Sequence, residues 1–165
     1  PLPGDAESFA LYANNPKVAQ NLRDRFPYPY TLPDAEGFLA MCTKEDETTH
    51  LTRVIDVDGK AVGCIGLSVL DDIYRKSAEI GYWLGEPFWN RGIMSEAIRR
   101  ICAEGFERLD IVRIHAAAFA YNTGSCRALE KAGFAFEGVQ KKSVYKNGQI
   151  YDARMYALIK MPYEK

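Results

Sequence analysis

Cysteine and histidine are scarce: the chain has four cysteines, Cys42, Cys64, Cys102 and Cys126, and two histidines, His50 and His115. No CxxC pair occurs and the spacings match no zinc pattern, so no metal is expected and reduced thiols are. A charge excess is also lacking, with 21 basic against 22 acidic side chains and a formal net charge of −1. Non-specific nucleic-acid binding would need a basic surplus, so nucleic acid is not an expected partner. The chain has no signal-peptide pattern and no apolar run of about 18 residues, which argues against secretion and membrane spanning. A cytoplasmic protein is the expectation. No low-complexity tract, linker or fixed-period repeat divides the 165 residues, so one domain is expected over 1–165. GxxxxGK[ST] is absent too, which disfavours P-loop nucleotide binding.

What is present reads as helices, three strands, a helix, a strand, a helix and two strands. Asp5 can cap a helix carrying Ala6, Phe9, Ala10 and Ala13, ended by Asn14-Asn15-Pro16, and a second short helix is expected over Val18 to Leu22. Phe26-Pro27-Tyr28-Pro29-Tyr30 is too proline-dense for a regular element and reads as an aromatic loop, after which Thr31 caps a helix over Pro33 to Thr43. His50 to Val57 and Lys60 to Leu70 form a hairpin about Asp58-Gly59. Ala78 to Leu84 alternates, with Ile80, Tyr82 and Leu84 on one face and Glu79, Gly81 and Trp83 on the other. An apolar stripe of period 3.6 predicts a helix from Ile93 to Leu109, and Val112 to Ala118 reads as a strand. Asn122 caps a helix stopped at Gly133, and Asn147-Gly148 joins the closing strands, Phe136 to Lys146 and Gln149 to Ile159.

Between the strand ending at Leu84 and the Ile93 helix lies Gly85-Glu86-Pro87-Phe88-Trp89-Asn90-Arg91-Gly92. Amides in the first turn of a helix have no partner within it, and the macrodipole adds positive charge, so an anion near Gly92 is stabilised without a lysine. If the strands ending at Leu84 and near Ala118 are parallel neighbours, both following helices begin on one side of the sheet, and a long ligand can lie between them.

Glu79-Ile80-Gly81-Tyr82-Trp83-Leu84, Pro87, Trp89 to Ala97, and Asn122-x-x-Ser125 through Leu129-Glu130-Lys131-Ala132-Gly133-Phe134 together resemble the GNAT acyl-CoA N-acyltransferases. Within that superfamily the chain is most similar to the ribosomal-protein amino-terminal acetyltransferases, over nearly its whole length. The resemblance implies an α/β (α+β) fold with a mixed, mostly antiparallel central sheet of six to seven strands flanked by helices. The family begins with a strand before the Asp5 helix. Pro1-Leu2-Pro3-Gly4 is a poor strand, so that element is expected to be missing or truncated here.

The resemblance also implies acetyl-CoA as co-substrate. Its pyrophosphate would lie on the segment Trp89, Asn90, Arg91, Gly92, Ile93, Met94 and Ser95, with Met94 replacing the small residue usual at the end of the family pattern. Asn122 would cap its helix and bond the pantetheine arm. Trp83 and Leu84 end the strand whose backbone would face the cofactor and receive the thioester carbonyl oxygen. Ser125 is the candidate to protonate the departing thiolate and Glu79 the candidate base, since an amine attacks only when neutral. A glutamate that some relatives carry just before the tyrosine of the last hairpin is replaced here by Val144. Phe26, Tyr28 and Tyr30 are candidate acceptor-binding residues, while Glu137, Tyr151, Asp152, His115 and Cys126 read as structural. The implied activity is transfer of the acetyl group to a primary amine, either a protein amino terminus or a small molecule, by direct attack in a ternary complex. A non-catalytic CoA-binding module is the alternative, and a homodimer is left open.

Overall fold

Both two-residue turns adopt the left-handed backbone that makes a tight hairpin: φ is 52° and 79° at Asp58 and Gly59, and 51° and 76° at Asn147 and Gly148. The computed structural model describes residues 1–161. Its helices are α1 (Ala6–Ala13), α2 (Pro16–Ala19), α3 (Leu32–Cys42), α4 (Ile93–Arg108) and α5 (Thr123–Lys131). Its strands are β1 (His50–Val57), β2 (Lys60–Val69), β3 (Ser77–Leu84), β4 (Arg113–Phe119), β5 (Ala135–Lys146) and β6 (Gln149–Ile159), in one sheet ordered β1-β2-β3-β4-β6-β5. Every neighbouring pair is antiparallel except β3 and β4.

Two helix starts differ from the sequence reading. Pro3–Asp5 forms a 3-10 turn, and the Asp5 carboxylate accepts from the Leu2 N–H at 2.7 Å rather than capping α1. The second helix begins at Pro16, because the Asn15 side chain accepts from the Lys17 N–H and supplies the cap there. Thr31 and Asp34 make a reciprocal capping box at the start of α3.

The alternation along β3 divides the molecule into two layers. Ile80 and Leu84 pack with Ile98, Ile101 and Cys102 of α4 and Leu129 of α5. Each such aliphatic side chain contributes roughly 1.5–3 kcal/mol on full burial. On the opposite face Trp83 packs with Phe9, Ala13 and Ala35 of α1 and α3.

The parallel pairing of β3 with β4 is short: Ser77 with Arg113, Ala78 with Ile114, and Glu79 with His115. Both strands continue, to Leu84 and Phe119, without further pairing to each other. The sheet therefore opens between them towards their carboxyl ends, where α4 and α5 begin.

Candidate functional site

The gap is lined by peptide groups as well as side chains. Gly85 N–H donates to Val62 and Leu70 N–H to the Ser77 carbonyl, which sets the alternation of the antiparallel β2–β3 ladder. By that alternation Gly81 and Trp83 direct their N–H groups to β2, whereas Tyr82 and Leu84 direct theirs into the gap. Leu84 is thus the strand-end residue whose amide faces it. The Trp83 side chain is buried on the α1–α3 face, with ring centroids 4.8 Å from Phe9 and 5.9 Å from Phe26.

The loop from β3 to α4 is fastened at its middle. Trp89 Nε1 donates to the Leu84 carbonyl at 2.7 Å, and the exposed Arg91 guanidinium lies 5.5 Å from the centre of the Phe88 ring. Asn90 and Gly92 both have left-handed backbone, φ 60° and 77°. Gly92 is the residue preceding α4 and no side chain caps that end, so the amides of Ile93, Met94 and Ser95 remain available to an anion. A Cβ at Gly92 would meet nothing within 4 Å, leaving open space over the backbone. Ile93 is half-buried, and the half-buried Met94 packs against the core as a larger residue must to leave the cradle clear. Ser95 is buried with its hydroxyl bonded to the Gly92 carbonyl at 3.0 Å, so its side chain is engaged within the protein.

At the other side of the gap, Asn122 Oδ1 accepts from the Ser125 N–H at 3.2 Å and caps α5. Ser125 Oγ lies 2.6 Å from the Tyr82 hydroxyl. Tyr82 is the neighbour of Ser125 that the sequence did not reveal, since alternation placed it only on the strand face shared with Ile80 and Leu84. A signal was there in its chemistry, since a half-buried tyrosine packed against the core calls for a polar partner at its hydroxyl.

On the opposite face, where β3 and β4 part, Glu79 is bonded to Arg23 and lies 3.9 Å from His115 Nε2. Burial pushes the His115 imidazole below its ordinary pKa, against the pull of Glu79. Gly81 is exposed on this face beside Glu79. A cleft of about 360 Å³ continues along it, lined by Arg23, Asp24, Ala117, Phe119, Val144 and Lys146 among others. Lys146 is buried and donates to Asp24 at 2.8 Å, a pairing that sequence patterning gave no reason to expect.

The aromatic loop splits by environment: Tyr30 is buried, Phe26 is half-buried and 4.9 Å from Tyr30 ring to ring, and Tyr28 is exposed. Burial raises the Tyr30 phenol, with Asp34 adding to the effect. Three residues read as structural have structural partners. Asp152 accepts from the Lys142 N–H at 2.7 Å, Glu137 pairs with Arg113 at 2.9 Å, and the Tyr151 ring centre is 4.7 Å from that of Tyr121. All four cysteines are free and buried. Among the described residues no group of three His, Cys, Asp or Glu side chains converges to hold a metal, and no helix is long and apolar enough to cross a membrane.

Comparison with known proteins adds to this geometry. A family model described as an acetyltransferase (GNAT) domain matches residues 1–135. YdaF of Bacillus subtilis, provisionally named a ribosomal N-acetyltransferase, is 37% identical over 154 residues, which are 93% of this chain and 78% of that protein. Among solved structures, the microcin C7 self-immunity acetyltransferase MccE, in complex with acetyl-CoA and AMP, is 26% identical with a TM-score of 0.82, covering 96% of this chain and 89% of that one. RimL, a ribosomal L7/L12 protein acetyltransferase, shares the fold at 24% identity and a TM-score of 0.83, over 96% of this chain and 90% of that one.

Proposed function

The chain belongs to the GNAT acetyltransferase family, and from that premise we propose that it transfers the acetyl group of acetyl-CoA to a primary amine, with a protein amino terminus as the leading acceptor class. The observation that carries this reading is the parting of β3 and β4 after Glu79 and His115, which opens a gap bounded by the starts of α4 and α5. When bound, acetyl-CoA supplies a thioester whose acetyl group passes to the amine. The uncapped amides from Ile93 to Ser95, held by the turn at Asn90 to Gly92, bind its pyrophosphate. Asn122 bonds the pantetheine arm while capping α5. The Leu84 N–H donates to the carbonyl oxygen, where negative charge builds during attack.

On the far face, Glu79 takes up the proton that the attacking nitrogen sheds, directly or through water, and Ser125 donates to the departing sulfur. The net change is one N–C bond formed, one C–S bond broken, and a proton transferred from nitrogen to sulfur. The cleft lined by Arg23, the partner of Glu79, receives the acceptor, with Phe26 and Tyr28 in the nearby aromatic loop. YdaF and RimL favour a ribosomal-protein amino terminus, and the open face of the cleft suits the end of a polypeptide.

The test is release of free CoA from acetyl-CoA, measured across peptide amino termini, polyamines and small amines. Turnover highest on peptides supports the reading. Tight acetyl-CoA binding with no transfer to any amine replaces it with a non-catalytic CoA-binding module.

A further inference from the structure

Tyr82 lies on β3 beyond the last residue that pairs with β4, so its side chain starts at one wall of the gap. Its phenol ends at the other, where its oxygen is 2.6 Å from Ser125 Oγ in the first turn of α5. Ser125 is thereby held twice, by Tyr82 at its hydroxyl and by Asn122 Oδ1 at its N–H. A serine hydroxyl has one proton to give and two lone pairs to offer. Either oxygen can donate at this distance, and because a phenol is much the stronger acid of the two hydroxyls, donation from Tyr82 to Ser125 is the favoured direction. Burial keeps Tyr82 protonated by raising its pKa, with the bond to Ser125 acting in the opposite direction. Once Oγ accepts from Tyr82, the Ser125 proton must point elsewhere.

We propose that Tyr82 is a positioning residue: by donating to Ser125 Oγ across the gap, it turns the Ser125 proton towards the place where the thioester sulfur leaves. This inference rests on the reading of Ser125 given above. With phenylalanine at this position, the Ser125 hydroxyl would rotate among staggered positions, and only part of its population would face the sulfur.

The test compares Tyr82→Phe, Ser125→Ala and the double variant with the parent enzyme. Tyr82→Phe is expected to lower kcat roughly tenfold or more, with the KM for acetyl-CoA and the melting temperature nearly unchanged. The preference for CoA over desulfo-CoA, measured by calorimetry without turnover, is expected to shrink several-fold in both single variants. Adding Tyr82→Phe to Ser125→Ala is expected to change nothing further. An unchanged kcat in Tyr82→Phe, or an equal loss with and without the serine, overturns the proposal and leaves Tyr82 as packing. Full turnover in Ser125→Ala overturns the serine reading and this one together.

If Tyr82→Phe does not fold, 3-fluorotyrosine at position 82 keeps the ring and the hydroxyl. Its more acidic phenol is the stronger donor to Ser125 Oγ, so the preference for CoA over desulfo-CoA, measured by calorimetry at neutral pH, is expected to rise above that of the parent. An unchanged preference overturns the proposal.

Discussion

Trp89 Nε1 donates to the carbonyl oxygen of Leu84 at 2.7 Å, tying the end of β3 to the middle of the loop that precedes α4. The loop geometry is therefore set within the protein, before any anion arrives. Trp89→Phe keeps an aromatic ring and removes the donor. A loss of about 1 kcal/mol in stability is expected from the broken bond, with acetyl-CoA affinity weakened about fivefold or more. Urea unfolding and calorimetry measure the two effects. Weaker folding with unchanged affinity would make the bond structural only.

Gly92 and Gly148 offer a matched pair. Their φ values are 77° and 76°, and a Cβ on either would meet nothing within 4 Å. Alanine at each position carries a similar backbone cost of about 1–2 kcal/mol, but only Gly92 sits at the start of α4. Gly92→Ala is expected to weaken acetyl-CoA binding at least tenfold, and Gly148→Ala to leave it unchanged at the same loss of stability. Equal affinities in the two variants would remove the cradle from the binding site.

These local geometries were legible in the sequence because the deciding residues are neighbours: Asp58-Gly59 and Asn147-Gly148 turn hairpins, and the spacing from Met94 onward builds α4. Even the division of β3 into two faces follows from alternation alone, although which helices cover them, α4 over Ile80 and Leu84 and α1 over Trp83, does not. The long-range pairs were hidden. Tyr82 with Ser125 and Lys146 with Asp24 join residues 43 and 122 positions apart, and no periodicity reports such a meeting. The point at which β3 and β4 part was hidden too, since an apolar strand reads alike whether or not a neighbour accompanies it to its end.

Gly81 is exposed between Glu79 and Trp83 on the cleft face, and a Cβ there would meet nothing within 4 Å. A larger side chain would fill space in front of the gap. Gly81→Leu is expected to raise the KM for the amine at least tenfold while acetyl-CoA affinity holds. An unchanged amine KM would move the acceptor off this face.

His115 links stability to pH. Desolvation lowers its native pKa, with Arg113 acting in the same direction and Glu79 and Glu137 opposing. The unfolded chain, with an ordinary histidine pKa of about 6.5, binds more protons in the interval between the two values. This contribution is complete above about pH 6.5 and is lost as pH falls through the native pKa. His115→Gln is expected to flatten that part of the curve of unfolding free energy against pH. A slope identical to that of the parent protein would show that another group supplies it.

Gly63 and Gly81 lie on adjacent strands, and alanine should separate them by packing. A Cβ at Gly63 would stand 2.5 Å from the Trp83 carbonyl oxygen and 3.2 Å from Leu84 Cα, both backbone atoms of β3. Gly63 pairs with Leu84 in the β2–β3 register, so relief requires the end of β3 to shift. Gly63→Ala is expected to cost roughly 1–3 kcal/mol. Because Leu84 also anchors Trp89, that shift should reach the loop and weaken acetyl-CoA binding. Gly81→Ala meets no such obstacle, and alanine loses less backbone entropy than glycine on folding, so its stability should match the parent or rise slightly. Equal destabilisation by the two substitutions would show that the strand end yields to a methyl group and that close packing at Gly63 does not hold Leu84 in place.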